Sequence, residues 1–275
     1  EMQALGCRTP LFGFGISMLG PVLLKYGTAA QKARYLPQIA RGEIRWCQGY
    51  SEPGAGSDLA NLQTKCEDRG DHWPVNGQKV WTSYAHLADW IFCLVRTSTA
   101  SKQGGISFLL FDMASAGVEA RPIKLISGAS AFCETFFTDV RVPKDQLVGQ
   151  LNEGWTIAKE LLQHERGMIS EIGRAIGATV PAVDVVARRF LGDADGGIGD
   201  PVLRDAVARH VMDDHAFQLS LARAAAESEA GAANGGLSSL FKYYGTEQNK
   251  RKFELILKCA GQAALGWDGA AYAEE

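Results

Sequence analysis

Glu165, in the run LLQHERGMIS, occupies a position where a carboxylate is expensive to keep. Trp155, Ala158, Leu162, Glu165, Ile169, Ile172 and Ile176 recur at alternating steps of three and four, which predicts one long core-facing helical seam. A carboxylate in that stripe has two readings. It can be a structural ion pair with Arg166 or Arg174, or a poorly solvated general base whose proton affinity burial would raise. Periodicity leaves both open. A second cluster is PGAGSD, residues 53–58, a glycine-rich turn whose N–H groups can line an anion-binding concavity with the Ser57 hydroxyl beside them. An ordinary surface turn has the same composition. Leu59 stands where a dinucleotide fingerprint needs its third glycine, and the phosphate-loop lysine is missing. A third cluster is KVWTSY. Trp81 and Ser83, two apart on a strand, share a face, so an indole and a hydroxyl could receive a flat heteroaromatic ring. The plainer reading is a core Trp and an edge Ser.

Other chemistries are poorly supplied. His72, His86, His164, His210 and His215 form no i, i+4 pair of the kind that binds zinc on a helix, and no GxSxG elbow is present.

These residues must be positioned by elements of two periods. Residues 10–41 read as short helices, with Thr28 as N-cap of a helix from Ala29 that carries Pro37. From Trp46 to Pro143 the pattern becomes short β-branched and aromatic runs, 90–97, 105–113, 117–123 and 133–143, separated by Gly, Ser and Pro. Asn76-Gly77 is expected to close a hairpin, since both residues tolerate positive φ. Helical pattern returns at Asn152; Asp200-Pro201 opens a second helix and a third runs from about Leu237 to Gln262. The expected fold is α+β: a helical segment (1–45), a middle antiparallel β domain (46–150) and a C-terminal helical bundle (151–275).

The chain has 275 residues, 46% hydrophobic and 21% charged, with a net charge of −3, so a basic nucleic-acid surface is not expected. Its six cysteines lack CxxC spacing, and reduced, buried thiols in a cytoplasmic protein are the expectation. No eighteen-residue apolar run predicts a membrane span.

Taken in order, YGTAAQKARYLPQIARGE, CQGYSEPGAGSDLANLQTK, VNGQKVWTSYAHLADWIFCLVRT and ISGASAFCETFFTDVRVPKDQLVGQLNEGW resemble the acyl-CoA dehydrogenase family over residues 21–165. That resemblance implies a middle antiparallel β-barrel and FAD held between it and the helical bundle. It implies that the chain lacks the family's first helices and its C-terminal end. By this similarity Tyr50 and Ser51 would meet the flavin pyrimidine edge, and Gly56 and Ser57 the pyrophosphate and the acyl-CoA. Trp81 would cover the isoalloxazine, and Ser83 would donate to flavin N5. Glu165 matches one of the family's two positions for the base, with Gln163 and Arg166 on the substrate side, and Gly261 falls at the adenine-side glycine loop. The Arg-rich RxxFG segment of many members is not found. The implied reaction is α,β-dehydrogenation of an acyl-CoA thioester, with an electron-transferring flavoprotein as acceptor and a homo-oligomer, dimer or tetramer, as the assembly. Two alternatives are a flavin monooxygenase or oxidase on the same fold and a non-catalytic subunit of a heteromeric dehydrogenase.

Overall fold

The computed structural model describes residues 13–165, 180–192, 195–232 and 236–266. The chain divides into two compact units, Glu1–Met168 and Ile169–Glu275.

In the first unit, helices α1 (Gly20–Tyr26) and α2 (Ala29–Arg41) precede the sheet. Thr28 caps α2 through a reciprocal capping box with Gln31, as its sequence predicts, and Gly42 ends it in the left-handed conformation at φ +68°. The Gln31 amide then reaches the carbonyls of Asp145 (2.7 Å) and Leu147 (2.9 Å), so a capping residue also ties the helix to the far end of the β region.

Eight strands follow: β1 (Trp46–Gly49), β2 (Lys65–Cys66), β3 (His72–Ser83), β4 (Trp90–Arg96), β5 (Ile106–Asp112), β6 (Val118–Ile123), β7 (Phe132–Pro143) and β8 (Leu147–Val148). They form one sheet in the order β6-β7-β3-β2-β4-β5-β8, with β1 also on β4. The α+β class is as expected. In detail the sheet is mixed, because β4 takes β1 and β2 as parallel partners. Connections longer than twenty residues separate those strands from β4, and parallel pairing requires such crossovers.

The middle of β4 is buried throughout, from Ile91 to Val95. Alternation explains the unbroken apolar run. Ile91, Cys93 and Val95 join Cys47, Leu109, Phe111, Phe137 and Val140 in one core, while Phe92 and Leu94 point to the opposite face. Each such side chain contributes roughly 1.5–3 kcal/mol when fully buried. Phe92 stacks with Phe108 of β5 at 6.0 Å. The helix over 154–165, here α3, begins against β5: a Cβ on Gly154 would stand 2.5 Å from the Ser107 carbonyl carbon, so only glycine lets the helix approach this closely.

The expected hairpin at Asn76-Gly77 does not exist. β3 runs straight through both residues, and the irregularity lies on its neighbour β7, whose extra residue Asp139 sits at φ +47°. The Asn76 side chain brackets that bulge, donating to Asp139 Oδ1 (2.9 Å) and accepting from its N–H (2.8 Å). Gly77 is needed for proximity: a Cβ there would lie 2.8 Å from Thr64 Cα.

In the second unit, α4 (Val183–Leu191), α5 (Pro201–Glu229) and α6 (Leu237–Ala260) enclose a small core of Val183, Ala187, Ile198, Val207, Leu255 and Cys259. Asp200 caps α5 through the N–H groups of Val202 and Leu203, with Pro201 at the first turn. The five cysteines among the described residues are free and buried. No described helix is long and apolar enough to cross a membrane.

Candidate functional site

The site is assembled on β1 and the turn that follows it. Cys47 faces the core beneath the sheet, so strand alternation sends Gln48 and Tyr50 to the other face, toward α3. There the Gln48 amide donates to Glu165 Oε2 at 3.2 Å. The Tyr50 ring is held edge-on to Phe92 and Phe108 at 6.1 and 6.4 Å. Its hydroxyl is buried and finds no hydrogen-bond partner among the described residues. Burial, followed by the charge of Glu165, pushes the Tyr50 phenol well above its ordinary pKa.

Glu165 is half-buried and accepts from Gln48; Arg166 and Arg174, its alternative partners, lie outside the described residues. The seam of α3 also lies off the expected line. Ile157, Ala158 and Leu161 are fully buried, whereas Trp155 and Leu162 are only half-buried, and Glu165 follows Leu161 by one turn at the edge of the packed face.

A buried ion pair anchors the glycine-rich turn. Glu52 accepts from Lys79 Nζ (2.8 Å), the N–H groups of Gln63 (2.6 Å) and Thr64 (2.9 Å), and the Thr64 hydroxyl (2.6 Å). Burial by itself would raise the Glu52 pKa. The Lys79 ammonium beside it, with the Thr64 and Gln63 donors, outweighs that and holds the carboxylate below its ordinary value. Lys79, fully buried on β3, spends a second donor on the Tyr50 carbonyl at 3.1 Å, and Val80 N–H reaches the Ser51 carbonyl at 2.9 Å. Residues 50–52 are thereby fastened directly to β3.

Paired backbone bonds between Glu52 and Ala55, both 3.0 Å, close the turn. Beyond it Arg96 holds the chain by its guanidinium, donating to the carbonyls of Ala60 (2.5 Å), Leu62 (3.2 Å) and Lys102 (2.6 Å). The loop is thus clamped at both ends while Gly56, Ser57 and Asp58 stay exposed. Nothing lies within 4 Å of where a Cβ on Gly56 would be, so internal packing does not demand glycine there.

Next along β3, Lys79 faces Thr135 and Thr82 faces Cys133, three steps against two. This bulge presents Trp81 at φ +59°, a conformation strained for a bulky residue. The indole is 56% exposed and touches the Phe132 ring edge-on at 5.9 Å. Ser83 is half-buried, and Thr82 between them is fully buried. Thr82, between them, is the one that faces the core, and Trp81 is not a core residue.

Of the candidate residues, Gln48-bound Glu165 and Tyr50 form one group, Ser51 is fastened to β3 by Val80, and Trp81 and Ser83 follow further along that strand. Gly56 and Ser57 project from the clamped loop. Gln163 is exposed and lies about 200° around α3 from Glu165, so it does not join the cluster. Arg166 lies outside the described residues. Gly261 ends α6 in the second unit at φ +54°. Gln48, Glu52, Lys79 and Arg96 were not singled out. The alternation of Gln48 with Tyr50 was an available signal; the Glu52–Lys79 pair, 27 residues apart, had none. Among the described residues no three His, Cys, Asp or Glu side chains are grouped to hold a metal ion.

Comparison with known proteins points to one family. Family models for the acyl-CoA dehydrogenase N-terminal, middle and C-terminal domains match residues 1–43, 47–140 and 152–273. The chain is 44% identical over 197 residues to acyl-CoA dehydrogenase IpdE1 of Mycobacterium tuberculosis, covering 71% of this chain and 50% of the relative. It is 37% identical over 253 residues to acyl-CoA dehydrogenase FadE34 of the same organism, covering 92% and 34%. The solved structure described as Tcur3481-Tcur3483 steroid ACAD superposes with a TM-score of 0.86 at 31% identity, covering 98% of this chain and 69% of that one. The chain spans about half the length of IpdE1. With the three domain models in sequence order and this fold, the chain belongs to the acyl-CoA dehydrogenase family.

Proposed function

We propose that this chain carries the flavin platform and the base of an enzyme that oxidises an acyl-CoA thioester to the trans-2-enoyl-CoA, with FAD as cofactor. The observation that carries the reading is Trp81: a large apolar ring held out toward solvent by a backbone bulge that strains it. Strain of this kind persists where the surrounding structure holds it, and it clusters at ligand-binding and active sites. The residues also fit a flavin chemically. Trp81 offers a face for stacking, Ser83 a hydroxyl donor two residues on, and Gly56 an open backbone approach for a pyrophosphate. When bound, FAD supplies the acceptor for the β-hydride.

The rest of the reaction falls to the protein. An α-hydrogen of a thioester is weakly acidic, so the chain must present a base at the right place and limit its solvation. Glu165, half-buried and fixed by Gln48, takes the α-proton on a carboxylate oxygen. Ser51 and Tyr50, held by Val80 and Lys79, fix the pyrimidine side, and Ser57 on the clamped loop meets the pyrophosphate and the CoA. Arg166 remains a proposed substrate contact, and Gln163, on the other side of α3 from Glu165, is proposed only for a part of the substrate remote from the base. A second subunit is part of the reading. Leu219, Leu240, Tyr243 and Leu257 are exposed on α5 and α6, and relatives described as paired chains, Tcur3481-Tcur3483 and the ChsE4-ChsE5 complex, share 31% identity with this one. A steroid-bearing acyl thioester is accordingly the first substrate class to try, and an electron-transferring flavoprotein the expected acceptor.

The test is an anaerobic titration of flavin-loaded protein with straight-chain, branched and steroid-side-chain acyl-CoAs, followed by absorbance and product mass. Bleaching with loss of two hydrogens from one thioester class supports the reading. Bound flavin that no acyl-CoA reduces overturns it.

A further inference from the structure

We infer that β1 and the residue after it supply a two-donor cradle for Glu165, in which Gln48 is a positioning residue that anchors one carboxylate oxygen and the Tyr50 hydroxyl is the second donor. The inference deepens the proposed function and rests on Glu165 being the base. A carboxylate that is to take a proton from carbon needs one oxygen aimed at that carbon and the other restrained, because a freely turning side chain loses the advantage of a fixed geometry. Gln48 Nε2 at 3.2 Å from Oε2 restrains one oxygen and leaves Oε1 available. The donor is neutral. A lysine or arginine in its place would put a charge against the base, whereas an amide orients the carboxylate without one.

Tyr50 supplies the second observation. Its ring, 5% exposed, is pinned against Phe92 and Phe108, so its hydroxyl is not free to swing out to water. That hydroxyl is buried and has no partner among the described residues, a costly state for a donor. Burial first, and the Glu165 charge after it, raise the pKa of that phenol. Alternation on the strand sets the two donors side by side, one engaged and the other ready when the carboxylate turns. On the helix itself, Glu160 is engaged elsewhere, by Lys25 and Tyr26, both at 2.6 Å.

The contact is tested first without flavin or substrate. In 15N-labelled protein the Gln48 side-chain amide pair, assigned by its loss in Gln48→Met, is expected to exchange slowly with solvent and to move in Glu165→Leu. In the flavin-loaded protein Gln48→Met should lower kcat about 10- to 100-fold at unchanged KM for the acyl-CoA, and Tyr50→Phe by less. Combined with Glu165→Gln, neither should add to that variant's defect. An amide pair indifferent to Glu165→Leu, or a Gln48→Met defect that multiplies the Glu165→Gln defect, overturns the cradle while leaving the base in place. Normal turnover by Glu165→Gln would instead sink the base, and with it the purpose of the cradle.

Discussion

Breaking the Glu52–Lys79 pair should destabilise the first unit by an amount that depends on which partner remains. In Glu52→Gln the Lys79 ammonium, fully buried, keeps the Tyr50 carbonyl at 3.1 Å and only a neutral side chain in place of the carboxylate. That leaves a buried ammonium without a compensating anion, the costlier half of a split pair. In Lys79→Met the carboxylate keeps three donors, Gln63 N–H, Thr64 N–H and the Thr64 hydroxyl. Those donors compensate the carboxylate in part, so it is the cheaper half to leave behind. The expected losses are therefore about 4 kcal/mol for Glu52→Gln, within the range for splitting buried pairs, and about 2–3 kcal/mol for Lys79→Met, at or below its lower end because the three donors remain. The double variant Glu52→Leu/Lys79→Met should cost less than the two single changes summed. Urea unfolding, read as a midpoint shift at constant m, measures all of these. The pair also sets an acid limit. Because the folded-state pKa of Glu52 is held below its ordinary 4.5, its stabilisation is present at neutral pH and is lost as pH falls below that value. Lys79→Met should flatten that loss. Single variants within 1 kcal/mol of the parent, with additive effects, would refute the reasoning.

Three further outcomes are expected. Trp81→Gly removes the strain of φ +59° and should leave the melting temperature unchanged or higher while weakening flavin retention, measured by gel filtration with absorbance; equal retention would contradict a stacking role. Ser83→Ala should perturb the bound flavin's spectrum and potential through loss of one hydroxyl donor, worth about 1 kcal/mol, and an unaltered spectrum and potential would count against that donor. Gly77→Ala drives a methyl group to 2.8 Å from Thr64 Cα, and a loss of about 1–3 kcal/mol in urea unfolding is expected; a neutral effect would mean that β2 and β3 are free to separate.

Much of the layout was legible because apolar periodicity and caps act locally. The runs around 90–97, 105–113, 117–123 and 133–143 became β4 to β7, and Thr28 and Asp200 cap the helices their types announce. The Asn76-Gly77 reading failed for a definite reason. Glycine marks any place where a side chain cannot be accommodated, and here the obstacle is the neighbouring strand at Thr64 and not a reversal of direction. The α3 seam was displaced because it packs over a broad face, burying Ile157 and Leu161 in addition to Ala158. At the site, Glu165, Trp81 and Ser83 stood out as residue types at odds with their surroundings. Glu52 and Lys79 did not, since a charged pair separated by 27 residues in polar-looking segments is indistinguishable from surface until the chain folds.

The central claim is that Glu165, facing an acyl thioester, removes its α-proton. It is tested most directly by mixing flavin-loaded Glu165→Gln anaerobically with the best acyl-CoA and following flavin absorbance in stopped flow. The variant is expected to bind flavin and thioester normally and to bleach about 100- to 10,000-fold more slowly than the parent, the range for loss of a general base. Bleaching at the parent's rate would contradict the account.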